Sequence, residues 1–232
     1  TLAEQPVRSQ VRVGALLERL PREAPSANAD AEAAFNALMA DLDTHIMPGI
    51  THWQHPRFFA YFPANARPES QLAEIIMAAM GVNSMLWETS PAATELEVAV
   101  CAWLSKAMGL PDSWLGLIQD TASSATFSAV VAAREKALEG GGNREGLFAA
   151  QPLGVYVSGE AHSSIEKAAR MAGLGSASVR KIAVDETLAM SPDALKAAIE
   201  ADLAAGVKPA LLVVTSGGTS RGAFDRASEI IT

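Results

Sequence analysis

Three short segments carry residues that could meet a ligand. QDTASSAT (119–126) offers the hydroxyls of Thr121, Ser123, Ser124 and Thr126, with Ala122 keeping the backbone open. At a helix N-terminus, free N–H groups and the helix dipole favour a phosphate. Taken alone, ordinary capping by one Ser or Thr explains the segment better. SGEAHSS (158–164) places His162 between a strand and a helix. A flat imidazole there could stack on a ring or exchange a proton. The ordinary alternative, again the commoner one, is a solvated or locally bonded histidine, with Ser163 and Ser164 as caps. TSGGTSRGAFD (215–225) has Gly217, Gly218 and Gly222, which permit close backbone approach. The alternative is a plain strand-to-helix loop.

Other chemistries lack their residues. There is no Gly-Lys-Ser/Thr phosphate loop, no GxGxxG and no HExxH. The stretch THWQHPRFFAYFPANARP (51–68) stands apart, with five of the chain's thirteen aromatics and two of its four histidines. Its three prolines forbid a regular helix or central strand. It reads as an extended loop whose Trp53, Phe58, Phe59, Tyr61 and Phe62 pack on something or line a pocket.

The elements that must position these segments follow from periodicity and breakers. Residues 1–30 are irregular, broken by Pro6, Pro21 and Pro25. Phe35, Leu38, Met39, Leu42 and Ile46 form one stripe of a helix that Pro48-Gly49 stops. A second helix runs from Leu72 to Met80. A third opens at Ser90-Pro91, and a fourth runs from about Ala122 to Leu138. EGGGNREG (139–146) reads as a surface loop. The rhythm then alternates: strand 154–158, helix 163–172, strand 178–184, helix 191–204, strand 210–215. Alternation of this kind predicts an α/β fold with a mostly parallel sheet covered by helices. ALLVVT (210–215) reads as a strand buried on both faces.

The chain has 232 residues, 49% apolar and 19% charged, enough to fold. A net charge of −8 without a Lys/Arg run argues against a nucleic-acid partner. No apolar run spans a bilayer, and TLAEQPVRSQ lacks a signal-peptide pattern. The single cysteine, Cys101, excludes a disulfide framework or a cysteine zinc site and fits a cytoplasmic compartment.

In order, five blocks resemble the group II pyridoxal-phosphate decarboxylases, and within them the aromatic-L-amino-acid decarboxylases. They are PGITHWQHPRFFAYFPAN (48–65), SPAATELE (90–97), QDTASSATFSAVVAAR (119–134), AHSSIEKAARMAGLG (161–175) and TSGGTSRGAFD (215–225). The resemblance implies a fold type I homodimer with active sites at the subunit interface. It divides the chain into residues 1–65, a segment ending in the aromatic substrate-pocket loop, and residues 66–232, part of a cofactor-binding large domain. It implies that Thr121, Ala122 and Ser123 hold the phosphate of pyridoxal 5'-phosphate. His162 would stack on the cofactor ring and Thr215 would also meet the cofactor. Trp53, Tyr61 and Phe62 would line the substrate pocket, and Asn83 and Met85 would reach the partner's site. Met85 stands where the family often has an aromatic residue, and Gly218 replaces a common threonine. Arg221 and Arg226 are also atypical.

The family's Asp for the pyridine nitrogen, and its lysine that forms the Schiff base, lie beyond GAFD. None of Lys106, Lys136, Lys167, Lys181, Lys196 or Lys208 matches that lysine motif. The sequence is therefore read as an N-terminal portion of a decarboxylase. The activity implied is decarboxylation of an L-amino acid, in the first instance aromatic, to an amine and carbon dioxide. Acidic, diamine and aldehyde-forming variants of that chemistry stay open. So does a non-catalytic cofactor-binding or dimerising half-domain that needs a second polypeptide.

Overall fold

The computed structural model describes residues 2–20, 22–23, 30–62 and 66–231. Pro21, Pro25, Pro63 and Thr232 lie outside them. The chain forms two compact units, Thr1–Met80 and Gly81–Thr232.

In the first unit, α1 (Ala31–Asp41) is capped by Asp30, whose carboxylate accepts the Glu32 N–H at 2.9 Å. The helical stripe does not continue regularly. Leu42–Ile46 widens into a π turn before α2 (Met47–Gly49). A proline ring presses on the carbonyl four residues back, and a wide turn before Pro48 relieves that pressure. α3 spans Pro68–Met80. The proline-rich loop is stitched to the N-terminal segment: the His52 N–H donates to the Val7 carbonyl at 2.9 Å, and Ser9 Oγ to the Pro48 carbonyl at 2.8 Å. His52 and His55 are buried by this stitching. α1 and α3 leave Phe35, Leu38, Leu72 and Ile75 exposed.

The second unit holds α4 (Pro91–Ala107), α5 (Ala122–Ala137), α6 (Gly141–Glu145), β1 (Leu153–Ser158), α7 (Ser164–Met171), β2 (Val179–Ile182), α8 (Pro192–Ala204), β3 (Lys208–Val213) and α9 (Ala227–Ile230). The three strands form a parallel sheet in the order β2-β1-β3. β1 is central, and all six of its residues are buried. Alternation sends Val155 and Val157 to one face with Ile165, and Tyr156 to the other with Ile182, Met190 and Leu195. α5 and α7 share a small cluster of Val130, Ala168 and Ala172, packed with Leu211 of β3. Helices thus cover both faces, as the alternation predicts.

Four expectations change. Among the described residues β3 is an edge strand and only half-buried, and the strand buried throughout is β1. An apolar run says that a strand is covered, and cannot say which neighbour covers it. Residues 139–146 contain the short helix α6, because Asn143 N–H and the Arg134 guanidinium converge on Glu135. β2 is shorter than 178–184, and Val184 instead bridges to Met190 in the antiparallel sense. Ser90 makes no side-chain cap, although Pro91 opens α4 as expected.

A polar lock ties β1, β2 and α8 together. Tyr156 Oη donates to Asp202 Oδ2 at 2.8 Å. Arg180 donates to Asp202 Oδ1 through Nε at 3.0 Å and Nη2 at 2.8 Å. Gly154 leaves room for the lock, since a Cβ there would lie 2.7 Å from the Tyr156 hydroxyl and 2.9 Å from Asp202 Oδ2. Burial pushes the Tyr156 hydroxyl far up, and the Asp202 carboxylate it serves adds to the shift. Burial opposes ionisation of Asp202, but Arg180 and Tyr156 outweigh it and hold its carboxyl below the usual range.

Candidate active site

In an open parallel sheet, ligands bind beyond the carboxyl ends of the strands where the strand order reverses. Here the chain leaves β1 towards β2 on one side, while β3 lies on the other. The segments after β1 and β3 start side by side, because Val157 pairs with Val213. Both were singled out by sequence. Arg221 Nη1 reaches Glu160 Oε1 at 3.3 Å and joins them again further out.

Beyond β1, His162 is exposed but oriented. Its Nδ1 accepts the Ser164 N–H at 3.2 Å, at the first turn of α7. Ser163, the expected cap, makes no capping bond. The imidazole therefore takes that role itself. Because Nδ1 accepts, the proton of the neutral ring sits on Nε2. Nε2 has no hydrogen-bond partner among the described residues.

α5 begins at Ala122, and Thr121 is its N-cap, with Oγ1 accepting the Ser124 N–H at 3.2 Å. The N–H groups of Ala122 and Ser123 belong to the first turn, where helices have no internal acceptor. The Ser124 hydroxyl holds the Asp120 carboxyl below its usual range, against an opposing effect of burial. The start of α5 lies beside the start of α7. A cavity of about 360 Å³ between them is lined by Ser123, Ser124, Phe127, Ser164, Lys167 and Met171, among others.

Beyond β3, Thr215 is half-buried, and its backbone is held on both sides by Asp225. Its hydroxyl makes no hydrogen bond among the described residues. The structure thus brings His162, the Thr121–Ser123 turn and Thr215 to the carboxyl edge of one unit.

The other expected residues belong to other segments. Trp53 and Tyr61 belong to the first unit, where the Trp53 ring stacks on Phe58 at 5.1 Å and on Tyr61 at 5.5 Å. Tyr61 adopts φ +57°, a strained value for a tyrosine. Phe62 and Met85 are exposed. Asn83 spends its side chain locally, accepting the Met85 N–H at 2.9 Å. Sequence reasoning gave no role to Asp225, Glu160 or Lys167. Only the GAFD block hinted at Asp225.

A capped helix start, an oriented imidazole and a glycine-rich turn therefore share the carboxyl edge of one parallel α/β unit. The family described as "Pyridoxal-dependent decarboxylase conserved domain" matches residues 15–232, and the chain belongs to that family. It is 39% identical over 233 residues to tryptophan decarboxylase 2 of Oryza sativa subsp. japonica, covering 97% of this chain and 45% of that protein. It is 37% identical over 233 residues to phenylacetaldehyde synthase of Arabidopsis thaliana, at 97% and 45% coverage. The crystal structure of Oryza sativa TDC with PLP and tryptamine superposes with a TM-score of 0.89 at 33% identity, covering 99% of this chain and 48% of that one. The chain therefore spans about half the length of the relatives it matches. The expected fold, a partial parallel α/β large domain, is borne out.

Proposed function

We propose that this chain forms part of a pyridoxal-phosphate-dependent decarboxylase acting on an aromatic L-amino acid, giving the amine and carbon dioxide. The observation that carries this reading is the meeting of the α5 start, His162 and Thr215 on one sheet edge, in a chain matched along 97% of its length by a tryptophan decarboxylase. The donor set fits the cofactor: first-turn N–H groups and serine hydroxyls suit a phosphate, and a flat, pinned imidazole suits an aromatic ring.

When bound, the cofactor supplies an electron sink for the pair left behind as the carboxylate departs. The chain's own residues orient and protonate. Thr121, Ala122 and Ser123 hold the phosphate at the α5 N-terminus. Ser164 N–H fixes the His162 ring, which would stack against the cofactor and hold a proton at Nε2 for transfer. Thr215 presents its hydroxyl to the cofactor. Trp53, Tyr61 and Phe62 supply the apolar wall for an aromatic side chain.

The protein works as a homodimer with shared active sites, to which Asn83 and Met85 contribute across the interface. The exposed apolar stripes on α1 and α3 support a covering partner. Cys101 as the chain's single cysteine supports a cytoplasmic setting. Among the described residues no helix is long and apolar enough to cross a membrane.

Carbon dioxide release from the intact protein that contains this chain is the direct test, with L-tryptophan, L-tyrosine, L-glutamate and a diamino acid offered in parallel. Turnover of the aromatic substrates at least about tenfold faster than the others is expected, a difference of about 1.4 kcal/mol in transition-state stabilisation. Preference for glutamate would overturn the aromatic assignment. Peroxide and aldehyde in place of amine would move the reaction to the oxidative variant.

A further inference from the structure

We propose that Asp225 is a positioning residue: its buried carboxylate clamps the turn after β3 and so holds the Thr215 hydroxyl in place for the cofactor. The inference rests on the reading above, in which Thr215 meets pyridoxal phosphate.

Asp225 is 4% exposed. Its Oδ2 accepts the Thr215 N–H at 2.7 Å, and its Oδ1 accepts the Met190 N–H at 2.7 Å. Its own N–H donates back to the Thr215 carbonyl at 2.7 Å. Thr215 is thus gripped through both backbone groups, which leaves its hydroxyl as the part that faces a ligand.

No cation pairs with Asp225 among the described residues, so peptide N–H groups alone compensate its burial. Burying a charge is costly unless it is fully hydrogen-bonded, and charge-assisted bonds are the strong ones. A charge placed here secures something that the loop cannot secure by itself. Gly217 and Gly222 sit at φ +76° and +67°, and glycines leave a chain many alternatives. The turn closes on itself through the Ser216–Phe224 bridge and the Gly217 and Gly218 N–H groups, which share the Ala223 carbonyl. Those bonds shape the hairpin but do not attach it to the core. Asp225 does, because Met190 is wholly buried and precedes the Ser191 cap of α8. One carboxylate therefore joins the end of β3, the return of the loop and the core beneath α8.

Asp225→Asn preserves shape and keeps one accepting oxygen, but turns an NH₂ group towards the second N–H. The test uses the intact apo-protein, with pyridoxal 5'-phosphate titrated by tryptophan fluorescence and the visible circular dichroism of the bound cofactor as a second signal. Asp225→Asn is expected to weaken cofactor binding about tenfold and to lower the visible dichroism. Thr215→Val removes the hydroxyl and leaves the clamp. If Asp225 acts through Thr215, the double variant binds no more weakly than the worse single variant. Fully additive losses, or Asp225→Asn binding like wild type, overturn the proposal while leaving the cofactor assignment intact. A wild-type protein that binds no pyridoxal phosphate overturns both. Should Asp225→Asn fail to fold, amide hydrogen exchange on the wild-type apo-protein decides. Slow exchange at Thr215 and Met190 without cofactor supports the clamp, and fast exchange at Thr215 overturns it.

Discussion

Replacing His162 with alanine in the intact enzyme is expected to lower kcat by about 10²- to 10⁴-fold, the range for loss of a positioned acid or base. On the proposed reading the imidazole has two roles, and the substitution removes both. It takes away the Nε2 proton, and it uncaps α7 by removing the acceptor for the Ser164 N–H. Loss of a cap costs about 1 kcal/mol and slightly lowers the melting temperature. His162→Asn separates the two effects, because asparagine is a strong N-cap with no ring and no proton to give. The asparagine variant should melt near wild type and remain as inactive as the alanine variant. Steady-state kinetics beside a thermal melt checks this. An asparagine variant with near-wild-type kcat would show that His162 is a cap and nothing more.

Removing Asp202 is expected to cause the largest loss of stability. Asp202→Ala strands the Tyr156 hydroxyl, which is 1% exposed as a residue, and leaves the Arg180 guanidinium unpaired. Breaking a buried pair from one side costs about 3–5 kcal/mol, discounted here to about 2–4 because Arg180 is partly exposed. At about 2–4 °C per kcal/mol for a unit of this size, the melting temperature should drop by roughly 5–15 °C. The lock also predicts a pH dependence. The folded carboxyl of Asp202 titrates below its ordinary value of 3.8. Its contribution is therefore fully present above that value and is lost as pH falls through the lower, folded one. Wild type should lose stability relative to Asp202→Asn on acidification below about pH 4, and melts recorded across that range will show the gap closing. A gap that stays constant would place the effect in packing rather than charge.

Local patterns foretold most of the elements, because helix and strand periods are properties of neighbouring residues. Ala31, Ala122 and Pro192 begin helices, and Gly81, Gly109 and Gly206 follow the ends of α3, α4 and α8, much as the breakers indicate. What the sequence left hidden depends on distant partners. Tyr156 meets Asp202 forty-six residues away, and Met190 meets Asp225 across thirty-five. Neither pair has a local signature. The order of strands is hidden for the same reason, so the apolar run ALLVVT predicts a strand buried on both faces where β3 is only half-buried. The site was half legible. Small residues after β1 and β3 and before α5 marked its loops, and the blocks around them marked the family. That His162 would cap α7 in place of Ser163 turns on one ring orientation, which no spacing encodes. The Trp53–Phe58–Tyr61 stack was foreseen as an aromatic-lined loop, though not as a stack that draws Tyr61 into left-handed backbone.

The most direct test is the denatured intact mass of the natural protein after borohydride reduction with pyridoxal phosphate present. A polypeptide longer than this chain, or a second one co-purifying with it, should carry the reduced cofactor adduct. That result would establish the cofactor and place its lysine outside residues 1–232. A single 24.2 kDa species without an adduct would contradict the account and leave a cofactor-free half-domain in its place.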